Sequence, residues 1–525
     1  MAVILTLGEA TAALAQLPYT PLTTPLHGGS AGQPPQVGAP SSEQPSQQTQ
    51  PQPSTSAPRP SQPGTSASFT PQGSALPSSV LPTRSFTFHP RILVRETYSD
   101  NINLAPPSRA ESDAITEVIP GFDLQAQGRR VQGSLSYSLQ GIAYAKHSSA
   151  DHIYNQVSGN ATGAIIPRHF FLAANTAYTQ AIINPSAPAS TSNIFTTGNN
   201  TNAWISQVNP YWLQSLGPVG RAKLSYTFGN IEYGSGGLRN SHDNTYEASL
   251  TSPSGNGPWS WSGSYRDYHD WISDGRETVQ RQAQGELGYQ IFHNLTLLGD
   301  GGWERNEQSR VYSQVFQGTY WAAGFRWSTP FNVFQFKYGH RFFGPTYDVS
   351  WQHQAARVTT NLSYKETVSV VNQNLQALAL QSLTPQSLPN VPLPALNSFD
   401  LYVSKRFAGS ISYHYSRTSL SLTGYDERRD YLTRLVGNEQ VTGATLSGNW
   451  RAGARTAVTP SFTWEKNTYE QGRSYTLLSP QIALTYAIGT TAHAELGYRY
   501  ERRNADTEAD SYTMNMVYAQ FRKTF

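Results

Sequence analysis

Hydrophobic and polar residues alternate with a period of two along most of the chain after Ser85. In residues 221–228 (RAKLSYTF), Ala222, Leu224, Tyr226 and Phe228 fall on one face, and charged or hydroxyl residues fall between them. Successive side chains of a strand point to opposite faces of its sheet, so this period predicts β-strands. One apolar and one polar face per strand is typical of a barrel with a lipid-facing exterior and a wet interior.

The connections between these strands alternate in length. Short ones carry turn residues, as at Pro167-Arg168 and Gly217-Pro218, whereas residues 99–113, 184–200 and 373–397 form long polar connections. Outer-membrane barrels combine short periplasmic turns with longer surface loops in this way. The pattern therefore predicts an all-β fold, a transmembrane antiparallel barrel of about 22 strands (18 to 24) that occupies residues 85–525.

Two segments of different composition precede the predicted barrel. Residues 1–15 end in Ala13-Leu14-Ala15, a small-x-small pattern that predicts a signal peptide. They lack a basic region, so we expect the true start codon upstream. Residues 16–84 are rich in Pro, Ser and Gln and predict a disordered tether in the periplasm, either a plain spacer or a contact for a periplasmic partner.

Bulk composition removes several classes of function. The chain of 525 residues has no cysteine, which excludes thiolate metal sites and cysteine nucleophiles. Its net charge of only +3 argues against a nucleic-acid partner. No run of eighteen apolar residues occurs, so spanning helices are excluded. A low-complexity segment before the barrel cannot form a folded plug, which argues against an energy-coupled transporter.

Aromatic residues followed at once by charged residues recur at the ends of predicted upward strands. Amphipathic rings favour the membrane–water boundary, so these residues predict an aromatic girdle in contact with outer-membrane lipid. The girdle candidates are Tyr265, Trp303, Tyr425, Trp464 and Tyr498.

The last strand ends on an aromatic residue in the stretch SYTMNMVYAQFRKTF. Phe521 and Phe525 share one face with Ala519 and Val517, and this terminus resembles the signal by which the barrel assembly machinery recognises outer-membrane proteins. Lys523 departs from that pattern, because an apolar residue is usual two places before the end. We expect the strand to close against the first one, which removes a free edge.

The stretches RETYSDNINLAP, SDAITEVIPGFDLQAQGRRVQGSLSYSLQGIAY and RHFFLAANTAYTQAIINP follow one another in residues 95–185. In that order they resemble the outer-membrane barrels associated with the PEP-CTERM and exosortase system, which overlap putative outer-membrane β-barrel porins. The resemblance implies a Gram-negative outer-membrane location and a setting near surface-polysaccharide genes. It implies no molecular activity and no catalytic residues.

Candidate sites for chemistry are few. The stretch YAKHSSADH (residues 144–152) invites comparison with His/Ser hydrolases, but adjacency in sequence is not the geometry of a triad. Asp100, Asn101 and Asn103 could ligate calcium or could supply turn chemistry. We therefore predict no catalytic residue, no metal and no cofactor.

Charged residues on predicted lumen faces could tune permeation or could simply hydrate a wet wall. They are Arg266, Lys337, Arg341, Lys365 and Glu366. The segment from Asn372 to Asn397 is rich in Leu and Pro and nearly free of charge. A long apolar loop is costly in water, so it either folds inward as a constriction, packs on a partner or stays disordered at the surface.

A lumen of about 22 strands is too wide for side chains to fill, so the leading hypothesis is a non-enzymatic pore for small solutes or saccharides. The alternative is a structural or assembly component of a surface-polysaccharide or protein-sorting system. A membrane-embedded hydrolase is a third hypothesis.

Overall fold

The chain folds into one closed barrel of 22 antiparallel strands. In the computed structural model the described residues are 85–190, 192–234, 237–253, 257–309, 314–381, 394–396, 400–433, 437–470 and 473–525. The strands are β1 (Ser85–Ser99), β2 (Asp113–Gln127), β3 (Val131–Tyr144), β4 (His152–Ile166), β5 (Phe170–Ile182), β6 (Asn200–Ser215), β7 (Arg221–Tyr233), β8 (Ser241–Thr251), β9 (Trp259–Ile272), β10 (Glu277–Phe292), β11 (Leu295–Ser309), β12 (Gln314–Ser328), β13 (Asn332–Arg341), β14 (Gly344–Gln354), β15 (Val358–Ser369), β16 (Tyr402–Tyr415), β17 (Thr418–Tyr431), β18 (Glu439–Trp450), β19 (Thr456–Tyr469), β20 (Ser474–Ala487), β21 (Ala492–Ala505) and β22 (Tyr512–Thr524). The predicted fold class and strand number are confirmed. The predicted signal peptide and tether lie outside the described residues.

Each strand pairs with the next, and β22 closes the barrel against β1. The closing register runs from Arg91 opposite Thr524 to Ser99 opposite Met516. The backbone N–H of Phe525 also donates to the carbonyl oxygen of Pro90, over 2.8 Å. The backbone groups of the last strand are therefore paired on both sides, and its aromatic end is not a frayed terminus.

Long and short connections segregate to opposite ends of the barrel. Residues 100–112, 183–199 and 370–401 all follow odd-numbered strands, whereas the short turns at 128–130, 167–169 and 293–294 follow even-numbered strands. We call these two rims the loop end and the turn end. The alternation predicted from the sequence is present in the structure.

The two faces of the wall differ in chemistry, as period two requires. On β7, Leu224 points outward and is 58% exposed, whereas Thr227 points into the lumen and is 1% exposed. Exposed large apolar side chains cover the outer face of nearly every strand. The inner face carries hydroxyl, amide and charged groups that hydrogen-bond across neighbouring strands.

In the described part of the long connection after β15, a helix interrupts the all-β pattern. Helix α1 (Val371–Gln381) follows the strand at once and is preceded by buried Val370. The described residues also contain short 3-10 turns at Ser148–Ala150, Gly217–Val219 and Glu508–Asp510. No helix among the described residues is long and apolar enough to cross a membrane.

Candidate pore constriction

Helix α1 folds into the lumen from the loop end. It leaves the wall at β15 and packs against the inner faces of β5, β6 and β7. These strands lie eight to ten places from β15 in the order of the sheet, so the helix reaches across the opening. Of the alternatives that the sequence left open for residues 372–397, the inward fold is the one seen in the described part of this segment.

The apolar side chains of α1 explain why it enters the barrel. Val371 and Leu375 are buried in a cluster with Ile205 of β6 and Ile231 of β7. Leu396, from the far side of the same connection, is fully buried in that cluster. Each such side chain contributes roughly 1.5–3 kcal/mol when it is removed from water, which offsets part of the cost of ordering the segment.

Polar side chains on α1 bind the wall on either side of this apolar contact. The Gln376 amide nitrogen donates to Asp243 of β8, and its amide oxygen accepts from Gln207 of β6. Gly229 of β7 lies beneath this contact, and a side chain there would collide with both Gln376 and Asp243. Nearer the start of the helix, the Gln373 amide donates to Gln280 of β10 over 2.9 Å. The helix is thus held by at least three strands of the wall.

The connection 183–199 between β5 and β6 also folds inward. Ile194 and Phe195 are buried in a cluster with residues of β2, β3 and β22, and the Tyr144 hydroxyl donates to the carbonyl oxygen of Ile194 over 2.9 Å. The backbone N–H of Leu396 donates to the carbonyl oxygen of Ile183, so this connection and the α1 connection touch. Sequence reasoning missed the inward fold, although the pair Ile194-Phe195 in a polar loop is a signal for it.

Ion pairs line the lumen wall formed by β10 to β13. The Lys337 ammonium lies 2.6 Å from Glu286 and 2.8 Å from Asp300. The Arg341 guanidinium pairs with the Glu304 carboxylate. Charges of both signs are therefore paired along this part of the wall, and neither sign stands alone there.

A second network lines β16 to β18. Glu427 accepts from Arg406 over 2.6 Å and from Arg429 over 3.2 Å, and Arg429 reaches Glu439 over 2.9 Å. Arg429 is 2% exposed, so its charge depends on these carboxylates. Removing one partner would leave a buried charge without compensation.

Four of the predicted lumen charges lie on the inner face. These are Arg266, Lys337, Arg341 and Lys365, the last opposite Asp348 of β14. The prediction was wrong for Glu366. It follows Lys365 directly, lies opposite Lys405 on the outer face, and accepts a hydrogen bond from the Tyr364 hydroxyl over 2.6 Å.

Four of the five girdle candidates point outward, and the fifth points into the lumen. Tyr265 and Tyr498 point outward and are each about two-fifths exposed. Trp303 and Trp464 also point outward, beside the lumen-facing Glu304 and Glu465. Tyr425 does not belong to a girdle, because it points into the lumen, covers Gly443 and donates to Glu465 over 3.1 Å.

Phe521 and Phe525 lie on the outer face of β22 and are 42% and 67% exposed. Lys523 lies between them on the same face, and its ammonium contacts the hydroxyl of Thr491 in the turn before β21. The outward direction of the two rings follows the alternation predicted from the sequence.

The candidate hydrolase stretch has no triad geometry. Nδ1 of His147 lies 2.7 Å from Asp113, and Nε2 lies 3.4 Å from Glu111. Both ring nitrogens thus face carboxylates instead of a serine hydroxyl. The calcium candidates supply turn chemistry: the Asn101 side chain bonds the backbone of Ala105 in both directions, over 2.7 and 3.0 Å.

No protein-family model and no curated protein matches the sequence. Among solved structures, the siderophore receptor PirA from Acinetobacter baumannii is 8% identical, over 83% of this chain and 80% of that chain, with a TM-score of 0.49. The FrpB iron transporter from Neisseria meningitidis is 9% identical over 83% and 82%, with a TM-score of 0.47. OmpT, an outer membrane protein of Vibrio cholerae, is 8% identical over 84% and 98%, with a TM-score of 0.28. At such identities and scores, these structures carry no argument about location, ligand or activity.

Proposed function

We propose that this protein is an outer-membrane pore for polar solutes, narrowed at its loop end by α1. The observation that carries the proposal is the fold of α1 across a lumen whose wall is polar and ion-paired. A helix packed on a wet inner wall leaves a narrower path than the 22 strands alone would give. The apolar outer face supports a location in lipid.

The lumen wall favours neutral polar solutes such as saccharides. Fixed charges of both signs do not select strongly for one ion. Inward-facing tyrosines accompany them: Tyr425 lies beside Arg406, and Tyr475 lies under Arg503, whose guanidinium carbon is 3.7 Å from the ring centre. Both hydroxyls donate to Glu465, so these tyrosines belong to the polar network of the wall.

A structural or assembly role without transport is the second candidate. It would use the residue 100–112 and 183–199 connections as contacts at the loop end and the predicted tether as a periplasmic contact. The resemblance to barrels of the PEP-CTERM and exosortase system motivates a setting near surface polysaccharide. No family model supports that setting, which stays a prediction. We propose no enzymatic activity, since His147 contacts no nucleophile among the described residues.

The test is single-channel recording on the purified, refolded protein in planar bilayers, with linear oligosaccharides of increasing length added to one side. We expect discrete conductance steps and transient block by the saccharides. A matched preparation unfolded by heat serves as the control. Folded protein that inserts but passes no current would reject the pore and favour the structural role.

A further inference from the structure

A pair of buried carboxylates lies where α1 meets the wall. Asp243 of β8 and Asp270 of β9 are directly opposite each other in the sheet, and both point into the lumen side. They are 1% and 2% exposed. Like charges directly opposite in a sheet are destabilising, so such a pair needs compensation.

The compensation present is incomplete. The Asn372 amide nitrogen donates to Asp270 and to the Ser241 hydroxyl, each over 2.9 Å, and Gln376 donates to Asp243. Arg266 interacts electrostatically with Asp243, which offsets one of the two charges. The second carboxylate, Asp270, meets α1 through the side-chain amide of Asn372 in the first turn of the helix.

Several buried oxygens at this place, those of Thr227 and Tyr268 included, have no hydrogen-bond partner among the described residues, and four of them matter here. They are Asp243 Oδ2, Asp270 Oδ1, Asn372 Oδ1 and Thr245 Oγ1. Thr245 is the next lumen-facing residue after Asp243 on β8, and Asn372 Oδ1 belongs to the amide that already touches Asp270. A buried polar atom without a partner is costly, and because two of these four oxygens belong to opposed carboxylates, a cation would compensate them best.

We propose that these four residues bind a calcium ion that fastens α1 to the barrel wall. All four donors are hard oxygens, two of them from carboxylates, which is the donor set that Ca²⁺ takes at 2.3–2.6 Å. Water fills the remaining positions, since Ca²⁺ accepts six to eight ligands in irregular arrangements. Mg²⁺ demands nearly ideal octahedral geometry and keeps several of its waters, so a set of four protein oxygens favours Ca²⁺.

The proposed calcium site would join α1 to the barrel wall. Asp243, Asp270 and Thr245 come from adjacent strands, whereas Asn372 comes from α1. Bound calcium would therefore stabilise the docked helix relative to an undocked one by mass action. This inference concerns ion binding, so it stands whether or not the lumen conducts.

The test measures calcium binding directly on the refolded full chain in detergent, after removal of metals with a chelator. Equilibrium dialysis against radioactive Ca²⁺ at neutral pH should show one ion per chain with a Kd of roughly 10⁻⁴ to 10⁻³ M, the range of extracellular sites. Unlabelled Mg²⁺ should displace the radioactive Ca²⁺ at least about ten-fold more weakly than unlabelled Ca²⁺ does at the same concentration.

Asp243→Asn should weaken calcium binding about ten-fold or more. Asp267→Asn should leave it unchanged, because Asp267 faces outward on β9 and pairs with Arg281. If Asp243→Asn does not fold, Asn372→Ala removes a donor from α1 without touching a strand, and it should give the same loss. The site would be overturned if Asn372→Ala bound calcium as well as the wild type does. It would also be overturned if the wild type bound no more calcium than Asp243→Asn does. Either result would indicate that a proton neutralises the pair of carboxylates.

Discussion

At the scale of residues, strand parity decides which side chains face the lumen. Lys365 and Glu366 are neighbours in one strand, so both cannot point inward, and the structure places Glu366 outside. Tyr425 shares the order of aromatic and charged residue with Tyr265, yet its parity places it inside with Glu427. An aromatic residue followed by a charged one at a strand end predicts how deep the aromatic residue lies in the membrane. It does not predict whether its side chain faces the lipid or the lumen. Counting alternate positions along each strand from a residue known to face the lumen would have corrected the predictions for Glu366 and Tyr425.

Lys337 gives a residue-scale prediction about ion selectivity. Lys337→Gln leaves Glu286 and Asp300 without their cation, so the local potential becomes more negative. We expect the cation-to-anion permeability ratio to rise about two-fold or more at low salt and to rise less at 1 M salt, where charges are screened. The reversal potential in a KCl gradient measures this ratio.

The control for this substitution is Lys405→Gln, which removes an equal charge from the outer face, where Lys405 pairs with Asp430. It should not change the reversal potential. An unchanged ratio for folded Lys337→Gln would place the ion path away from β13.

The terminal aromatic residues give a second prediction at this scale. Replacing Phe521 and Phe525 together by Asp puts two charges on the lipid face, at a cost of up to about 2–4 kcal/mol each that falls toward the interface. It also removes the terminus that resembles the assembly signal. We expect much less folded, heat-modifiable protein in the outer membrane at matched expression.

The matched control replaces Gln520 and Thr524 by Asp, because these residues lie on the lumen face of the same strand. That variant should assemble nearly as well as the wild type. Equal assembly of the two variants would show that the lipid-facing side of β22 is not what the assembly step requires.

At the scale of elements, the strands were predictable and the inward segments were not. Period two and the length alternation predicted 22 strands because every strand meets the same two environments, lipid and water. The fold of α1 depends on contacts with β5 to β10, far away in sequence, and no local pattern encodes them. Leu375 and Leu396 indicated burial, but their partners Ile205 and Ile231 are known only from the closed barrel.

The docking of α1 is testable by cross-linking, because the chain has no cysteine of its own. Gln207 and Gln376 are hydrogen-bonded across the lumen surface, over 3.3 Å. The double variant Gln207→Cys/Gln376→Cys should therefore be linked in high yield by a short bifunctional thiol reagent. Mass spectrometry of the digested protein measures the yield.

A pair that joins Gln376→Cys to Lys405→Cys serves as the comparison, because Lys405 lies on the outer face and the wall separates the two thiols. This pair should not be linked within one chain. Equal yields for the two pairs would mean that α1 does not rest on β6.

At the scale of the whole molecule, the barrel is wide and its loop end is occupied. The described parts of the connections 183–199 and 370–401 enter the lumen from different sides and touch through Leu396 and Ile183. Ion-paired walls below them keep the interior polar. Together these features describe a wide barrel with a narrow entrance, and the conductance should be set by the loop segments more than by the strand number.

The most direct measurement is the single-channel conductance after deletion of Asn374 to Leu396, with the flanking strands joined by a short turn. We predict a clear rise in conductance over the wild type, because the helix that crosses the lumen is gone. Shortening of residues 506–510, an exposed turn after β21, is the control and should leave conductance unchanged. A correctly folded deletion variant with wild-type conductance would contradict the account, since α1 would then lie outside the path of ions.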